Sequence, residues 1–157
     1  MAGMDNNAIM QIALVVKDIE KVAKNYADMF GIPMPEIIDV PPVNEVPVFY
    51  KNERTDSRAK ICVFKMGSII LELTEPDETP SGWKDFYDKH GQGVHHIGIK
   101  VNDREKAINA FDDMGIKINH VGYYPTSSYT FMDSMNDFGV NFNVKHFDED
   151  NSDKLLK

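Results

Sequence analysis

Two histidines stand side by side in the segment GVHHIGIKVND, residues 93–103, where an apolar run begins. Neutral imidazole is the commonest metal ligand in proteins, although a histidine in a strand is more often a hydrogen-bonded structural residue. Side chains alternate along a strand, so we expect His95 and His96 to face opposite sides. The pair therefore indicates metal binding or acid–base chemistry at one position and packing at the other.

A glutamate within an apolar strand is a second candidate for chemistry. Glu72 lies between Leu71 and Leu73 in the run IILELTEP, residues 69–76. Burying a carboxylate is costly unless it is paired or bound to a metal, but one face of an antiparallel strand can be open to solvent. Position alone leaves both interpretations open for Glu72.

The composition restricts the class of protein. The 157 residues, 42% of them hydrophobic, fit one globular domain, and a formal charge of −8 disfavours nucleic acid and anionic membrane surfaces. Cys62 is the single cysteine, which excludes an internal disulfide framework and favours a reducing compartment. No apolar run is long enough to span a bilayer, and no secretory signal is evident. We therefore expect a cytoplasmic protein with a small-molecule ligand and without nucleic-acid or membrane partners.

The chain contains an internal repeat. A shift of 85 positions aligns residues 11–29 with residues 96–114, and seven of the 19 aligned pairs are identical. Ordinary composition predicts roughly one chance identity in such a window. Under this shift Gln11 is equivalent to His96. A functional position in one copy therefore has a structurally equivalent position in the other.

The repeated segments predict the same elements twice. Each copy has an apolar strand, then an aspartate, Asp18 or Asp103, placed to cap a helix with apolar residues at three- and four-residue spacing. Strands are predicted over residues 59–66, 69–76, 117–123, 129–134 and 140–147, a short helix over 83–89, and an irregular insertion over 41–57. The order predicts an α+β fold of two βαβββ modules. We place the first module at 9–76, a linker with the short helix at 77–92, the second module at 93–147 and a flexible tail at 148–157.

The chain resembles the vicinal oxygen chelate superfamily, which includes glyoxalase I, methylmalonyl-CoA epimerase, extradiol dioxygenases and bleomycin-resistance proteins. The resemblance covers most of residues 9–147, and it looks closest to the glyoxalase and epimerase branch. The segments that carry it are QIALVVKDIEKVAKNYADMFG, IILELTEP, GQGVHHIGIKVND and GVNFNVKHF. It implies two βαβββ modules whose curled, mixed and mostly antiparallel sheets surround a cleft with one divalent metal.

The resemblance also implies a ligand set from the first and last strands of each module, namely Gln11, Glu72, His96 and Asn143. Asn143 stands where the family usually has glutamate, which leaves Glu72 as the single carboxylate. Three oxygens and one nitrogen suit Zn²⁺, Ni²⁺, Co²⁺ or Mn²⁺, bound weakly or not at all. His96 is assigned to the cleft, and His95 to the opposite, helix-packing face.

The implied activity is that of a metal-dependent lyase or isomerase acting on a small carbonyl compound or thioester through a metal-stabilised enolate. Glu72 is the best candidate for the base, because an asparagine amide cannot remove a proton; His120 and His146 are remote candidates. Extradiol dioxygenase chemistry needs two histidines and a carboxylate around iron, and Gln11 removes one histidine. The alternative is a non-catalytic drug- or metabolite-binding protein of the bleomycin-resistance type, and a partner-binding domain is a third, weaker interpretation.

Four residues are candidates for substrate binding. Alternation places Lys100 on the His96 face and Lys145 on the Asn143 face, where each could hold an anionic group or reach solvent. Tyr124 and Tyr129, in the aromatic segment GYYPTSSYTF, could line the mouth of the cleft, although aromatic residues favour strands in any protein. Because sheet edges need protection and homodimers are common in the superfamily, we expect a homodimer.

Overall fold

The computed structural model describes residues 3–41 and 46–148. Ten strands lie within these residues: β1 (Ile9–Val15), β2 (Ile37–Val40), β3 (Val48–Tyr50), β4 (Glu53–Arg54), β5 (Ala59–Met66), β6 (Ile69–Pro76), β7 (Gly93–Val101), β8 (Ile118–Tyr124), β9 (Ser127–Met132) and β10 (Asn141–Phe147). The helices of the same residues are α1 (Ile19–Phe30), α2 (Gly82–His90), α3 (Arg104–Asp112) and α4 (Met135–Phe138). Nearly all of the predicted tail, from residue 149 onward, lies outside the described residues.

The strands form one mixed sheet in the order β2-β5-β6-β1-β7-β10-β9-β8-β3-β4. The first and last strands of each half are parallel neighbours, β1 with β6 and β7 with β10. The antiparallel pair β1–β7 joins the halves, with Gln11 opposite Gly98 and Ala13 opposite His96. A curled mixed sheet with helices packed on it confirms the predicted α+β fold class.

The two halves repeat one order of elements. The first runs β1, α1, β2, β5 and β6, and the second runs β7, α3, β8, β9 and β10. Asp18 caps α1 by accepting a hydrogen bond from the Lys21 backbone N–H at 3.0 Å, and Asp103 caps α3 through the Lys106 N–H at 2.9 Å. The predicted helix caps are confirmed at equivalent positions of the repeat.

The prediction of an irregular insertion over residues 41–57 was wrong for its second part. β3 and β4 form a small hairpin, and β3 pairs with β8 of the other half, with Phe49 opposite Val121. The first module therefore contributes two strands to the sheet of the second. Local composition conceals such a strand, because its partner is about seventy residues away.

Each long helix covers one half of the sheet. Ile19 and Ala23 of α1 pack on Phe64 and Leu73, and a matching cluster forms around Phe111 of α3. The predicted linker helix is confirmed as α2, whose Trp83 and Phe86 belong to a third cluster with Val15, Ala59 and Phe131. No helix of residues 3–41 and 46–148 combines the length and apolar character needed to cross a membrane.

We expect Asp18→Ala and Asp103→Ala each to lower the free energy of unfolding by about 1 kcal/mol, because each leaves a helix N-terminal N–H without its acceptor. Urea denaturation followed by circular dichroism measures the loss. Asp56→Ala, at an exposed loop position, is the matched control and should change stability by less than about 0.5 kcal/mol. A loss no larger than that of the control would contradict the assigned caps.

Candidate functional site

Four neighbouring strands bring the four predicted ligands together at the centre of the sheet. Gln11 is on β1, Glu72 on β6, His96 on β7 and Asn143 on β10. The Gln11 Nε2–H donates to Glu72 Oε2 at 2.8 Å. Gln11 Oε1 lies 3.2 Å from His96 Nε2, and Asn143 Nδ2 lies within 3.4 Å of both atoms. Gln11, His96 and Asn143 are buried, and Glu72 is half-buried.

A glycine makes room for this cluster. Gly98 lies opposite both Gln11 and Asn143 in the sheet. A Cβ atom at Gly98 would lie 2.6 Å from Gln11 Oε1 and 2.8 Å from Gln11 Cβ. Only a residue without a side chain therefore lets Gln11 lie over β7, with its Oε1 near His96 and Asn143.

His95 does not face away from His96 as predicted. The β1–β7 pairing is irregular here, since Ala13 pairs with His96 while the next residue, Leu14, pairs with Val94. This bulge interrupts strand alternation and leaves the two imidazoles in contact, with their Nδ1 atoms 2.8 Å apart. His95 also packs on Phe86 of α2, so the predicted contact with a helix is present. The His95 ring nevertheless lies against the His96 ring.

The hydrogen bonds assign the ring protons of both histidines. The His95 ring has a hydrogen bond to the Gly82 backbone that raises its pKa, as expected for a ring N–H donating to a carbonyl. Burial dominates and lowers the pKa of His95 to about 4, and that of His96 well below its ordinary value. In the neutral pair, His95 Nδ1 then accepts from His96 Nδ1–H. His96 Nε2 is left with its lone pair directed to the cluster.

Asn143 places N–H bonds, not an oxygen, at the centre of the cluster. Its Oδ1 accepts from the Thr130 backbone N–H at 3.2 Å, which turns Nδ2 toward Gln11 Oε1 and His96 Nε2. Turning the amide over would oppose two donors at Thr130. The amide thus satisfies the two lone pairs that a cation would otherwise take up.

The predicted set of four, as arranged here, does not fit a divalent metal. Gln11, Glu72 and His96 have lone pairs for a cation, but Asn143 presents a donor. Within residues 3–41 and 46–148, no three His, Cys, Asp or Glu side chains are grouped so as to hold a metal ion. A second carboxylate is what the donor set lacks.

We expect Asn143→Glu to raise the affinity for Mn²⁺ or Co²⁺ by roughly tenfold or more, because it replaces a donor with a second negative charge. Isothermal titration of metal-stripped protein measures the change. Asn109→Glu, at an exposed position of α3, adds the same charge elsewhere and should leave the affinity unchanged. Equal affinities for both variants would disprove the mapping of Asn143 to a ligand position.

A cavity of about 160 Å³ adjoins the cluster. Its polar lining residues are Glu72, Tyr129, Asn143 and Lys145, and its walls are aliphatic and aromatic, including Ile61 and Val63 of β5, Trp83 of α2 and Phe131 of β9. Burial lowers the pKa of Lys145, and the attraction of Glu72 acts in the opposite direction. The cavity therefore combines a carboxylate and a buried amine in apolar surroundings.

The four predicted substrate-binding residues divide into two groups. Lys145 and Tyr129 line this cavity. Lys100 pairs with Lys145 across the β7–β10 ladder but is not among the described residues that line the cavity, and its Nζ lies 5.9 Å from the Phe147 ring centre. Tyr124 contacts the Tyr129 ring from outside the lining, and burial raises the pKa of Tyr124.

The sequence did not identify two residues that shape the cavity. Trp83 was predicted only as part of a linker helix, and His120 only as a remote base. His120 Nδ1 accepts from the Gly82 backbone N–H at 3.1 Å, so its Nε2 carries the proton and donates to Tyr129 Oη at 3.2 Å. His120 therefore orients the Tyr129 hydroxyl. His146 lies away from the cluster, with Nδ1 3.3 Å from the Val101 carbonyl.

Acid should destabilise the protein through His120, whose pKa is lowered by burial from 6.5 to about 3. The folded state then binds fewer protons than the unfolded chain, so the free energy of unfolding falls as pH drops below 6.5. We expect His120→Gln to make this fall shallower by about 1.4 kcal/mol per pH unit, measured by urea unfolding between pH 6.5 and 4.5. The exposed His90→Gln is the control, and equal slopes for both variants would refute the assignment.

Comparison with known proteins identifies the family. The model of the Glyoxalase/Bleomycin resistance protein/Dioxygenase superfamily matches residues 10–131, and the chain belongs to this superfamily. The uncharacterized protein YqjC of Bacillus subtilis (strain 168) is 32% identical over 63 residues, which are 40% of this chain and 45% of that protein. The chain thus matches less than half the length of this relative.

Solved structures share the fold at low sequence identity. Methylmalonyl-CoA epimerase from Mycobacterium tuberculosis superposes with a TM-score of 0.59 at 18% identity, covering 96% of this chain and 94% of that one. The hypothetical protein BH1468 from Bacillus halodurans C-125 superposes with a TM-score of 0.62 at 20% identity, covering 92% and 97%. At these identities the likeness establishes the fold.

Proposed function

We propose that the protein is an isomerase or lyase that moves a proton at the carbon next to the carbonyl of a small ketone, aldehyde or thioester, with Glu72 as the base. One observation carries the proposal: Glu72 lies at the boundary between a buried polar cluster and a small, mostly apolar cavity that also contains Lys145 and Tyr129. A carboxylate beside hydrogen-bond donors, in mostly apolar surroundings, is an arrangement that favours enolisation.

The surroundings of Glu72 hold its carboxylate in place. Oε2 accepts from Gln11 Nε2–H at 2.8 Å, and Oε1 accepts from the Thr74 hydroxyl at 3.3 Å. Each oxygen retains lone-pair capacity that a C–H proton could use. Glu72 would take this proton, the C–H electron pair would form a C=C bond, and the carbonyl electrons would move onto oxygen. Return of the proton to the same face of that carbon would regenerate the substrate, and its delivery to the former carbonyl carbon of an α-hydroxy substrate would complete an isomerisation.

The comparisons support this class of reaction. The superfamily description covers glyoxalases, and several of the solved structures that share the fold are methylmalonyl-CoA epimerases. The cavity volume of about 160 Å³ suits a small acyl or carbonyl group, and a longer thioester tail would have to lie outside it. The substrate class of the proposal is therefore a small carbonyl centre, free or at the end of a larger molecule.

Proton exchange tests the proposal directly. Metal-stripped protein is incubated in D₂O with a panel of small ketones, aldehydes and acyl thioesters, and loss of the adjacent C–H signal is followed by NMR, with and without added Mn²⁺. We expect exchange with at least one substrate, and we expect Glu72→Gln to slow it by about 100-fold or more, because general-base catalysis contributes at least that factor.

Glu53→Gln is the matched control, since Glu53 is exposed on the edge strand β4, and it should exchange at the wild-type rate. Exchange that Glu72→Gln leaves unchanged would assign the base elsewhere. No exchange with any member of the panel would count against an enzyme.

Asn143 favours a second candidate, a binding protein that sequesters a drug or metabolite in the same cavity. Its amide completes the hydrogen bonds of the polar cluster with neutral groups. A binding protein needs no catalytic base at this position. Native mass spectrometry after mild purification distinguishes the two functions. A retained organic ligand together with absent exchange favours the binder.

A further inference from the structure

We propose that the cavity is an oxyanion site, in which Lys145 and Tyr129 donate hydrogen bonds to the carbonyl oxygen of the ligand as it becomes an enolate oxygen. The proposal rests on the proposed function and names the groups that would replace a metal as the electrophile. Its substrate class is a small enolisable carbonyl compound that binds without a metal ion.

Lys145 is a buried amine without a fixed acceptor. It is 9% exposed and lines the cavity. Its amino group has no hydrogen bond or ion pair to any residue of 3–41 and 46–148, and the negative charge of Glu72 attracts it and raises its pKa against the effect of burial. An unpaired buried cation is costly. A ligand oxygen in the cavity would supply the missing acceptor.

The Tyr129 hydroxyl is a second donor, directed by its neighbour. Because His120 Nε2–H donates to Tyr129 Oη, the hydroxyl's own proton must point elsewhere. Gly122 leaves room for the Tyr129 ring, since a Cβ atom at Gly122 would lie 2.2 Å from that ring. Burial raises the pKa of Tyr129 above its ordinary value, so the hydroxyl keeps its proton and can donate it to a ligand.

Trp83 adds an independent observation. It is 4% exposed and lines the same cavity. Its indole Nε1–H is buried and has no hydrogen-bond partner in the described part of the chain. Buried donors are almost always satisfied. The nitrogen itself is closed off from solvent, so the indole ring forms part of the cavity wall, and Lys145 and Tyr129 are the donors offered to a ligand oxygen.

The position of Asn143 separates this site from the neighbouring cluster. Its amide satisfies Gln11 Oε1 and His96 Nε2, so these two atoms need no cation. During enolisation, the proton would pass to Glu72 and the negative charge would form on the carbonyl oxygen, beside Lys145. Reprotonation of carbon by Glu72 restores the starting charges, and no other reactant is consumed.

An enolate mimic tests the site. The nitronate anion of 2-nitropropane is planar and carries its charge on oxygen, and neutral 2-nitropropane has nearly the same shape. Trp83 is the single tryptophan, so its indole N–H gives one resonance in a ¹H–¹⁵N spectrum. We expect the nitronate to shift this resonance in metal-stripped protein, because the indole ring lines the cavity, and we expect the neutral compound to shift it less.

Variants assign the effect to its groups. Lys145→Met should weaken nitronate binding by about 10- to 100-fold, the scale of one charged hydrogen bond, and should weaken binding of neutral 2-nitropropane much less. Lys100→Met is the matched control, because Lys100 pairs with Lys145 in the sheet but lies outside the cavity lining. Tyr129→Phe, which keeps the ring, should weaken binding less than Lys145→Met. Glu72→Gln should tighten it by removing a negative charge.

The outcomes separate this site from the proposed function. An indole resonance that the nitronate does not move, a Lys145→Met variant that folds and binds as tightly as the wild type, or binding that needs added Mn²⁺ would each overturn the oxyanion site, even if exchange catalysed by Glu72 is observed. Nitronate binding that depends on Lys145, in a protein that shows no exchange, would support the site and count against the enzyme.

Discussion

The antiparallel pairing of β1 with β7 is the interaction on which the rest of the structure depends. It joins the two halves of the repeat at the centre of one sheet and sets Gln11 opposite Gly98. Because β6 and β10 run parallel to these strands on either side, the same pairing brings Glu72 and Asn143 to the centre. A change of register by one residue would turn Gln11 to the other face and separate the four side chains.

Burying polar side chains at such a junction requires that each has a partner. The cluster meets this requirement with neutral groups: the Gln11 amide binds Glu72, and the Asn143 amide binds Gln11 and His96. A bound metal ion would instead satisfy the same lone pairs through its positive charge. The residue at position 143 decides between the two, because an amide has its own N–H bonds and a carboxylate does not.

The backbone of Gly82 connects the linker helix to this chemistry. Its N–H donates to His120 and its carbonyl accepts from His95, so the two backbone groups of one residue hold side chains on β8 and β7. A Cβ atom at Gly82 would lie 2.6 Å from Asn119 Oδ1, which explains the absence of a side chain. The helix is thereby held where Trp83 lines the cavity. Sequence patterns indicated the helix, but nothing in them indicated this attachment, because both contacts join distant segments.

The sequence by itself determined the repeat, the two capped helices, most of the strands and the four residues that meet at the centre. The helices and strands follow from local periodicity and the equivalence of Gln11 with His96 follows from the repeat, whereas Glu72 and Asn143 were predicted from the resemblance to the superfamily. Only the tertiary structure decided the rest. The pairing of β3 with β8, the contact of His95 with His96 and the direction of the Asn143 amide all depend on partners far along the chain. A sequence pattern records which groups a residue carries, but the hydrogen bonds that orient those groups are fixed only when distant strands pack together.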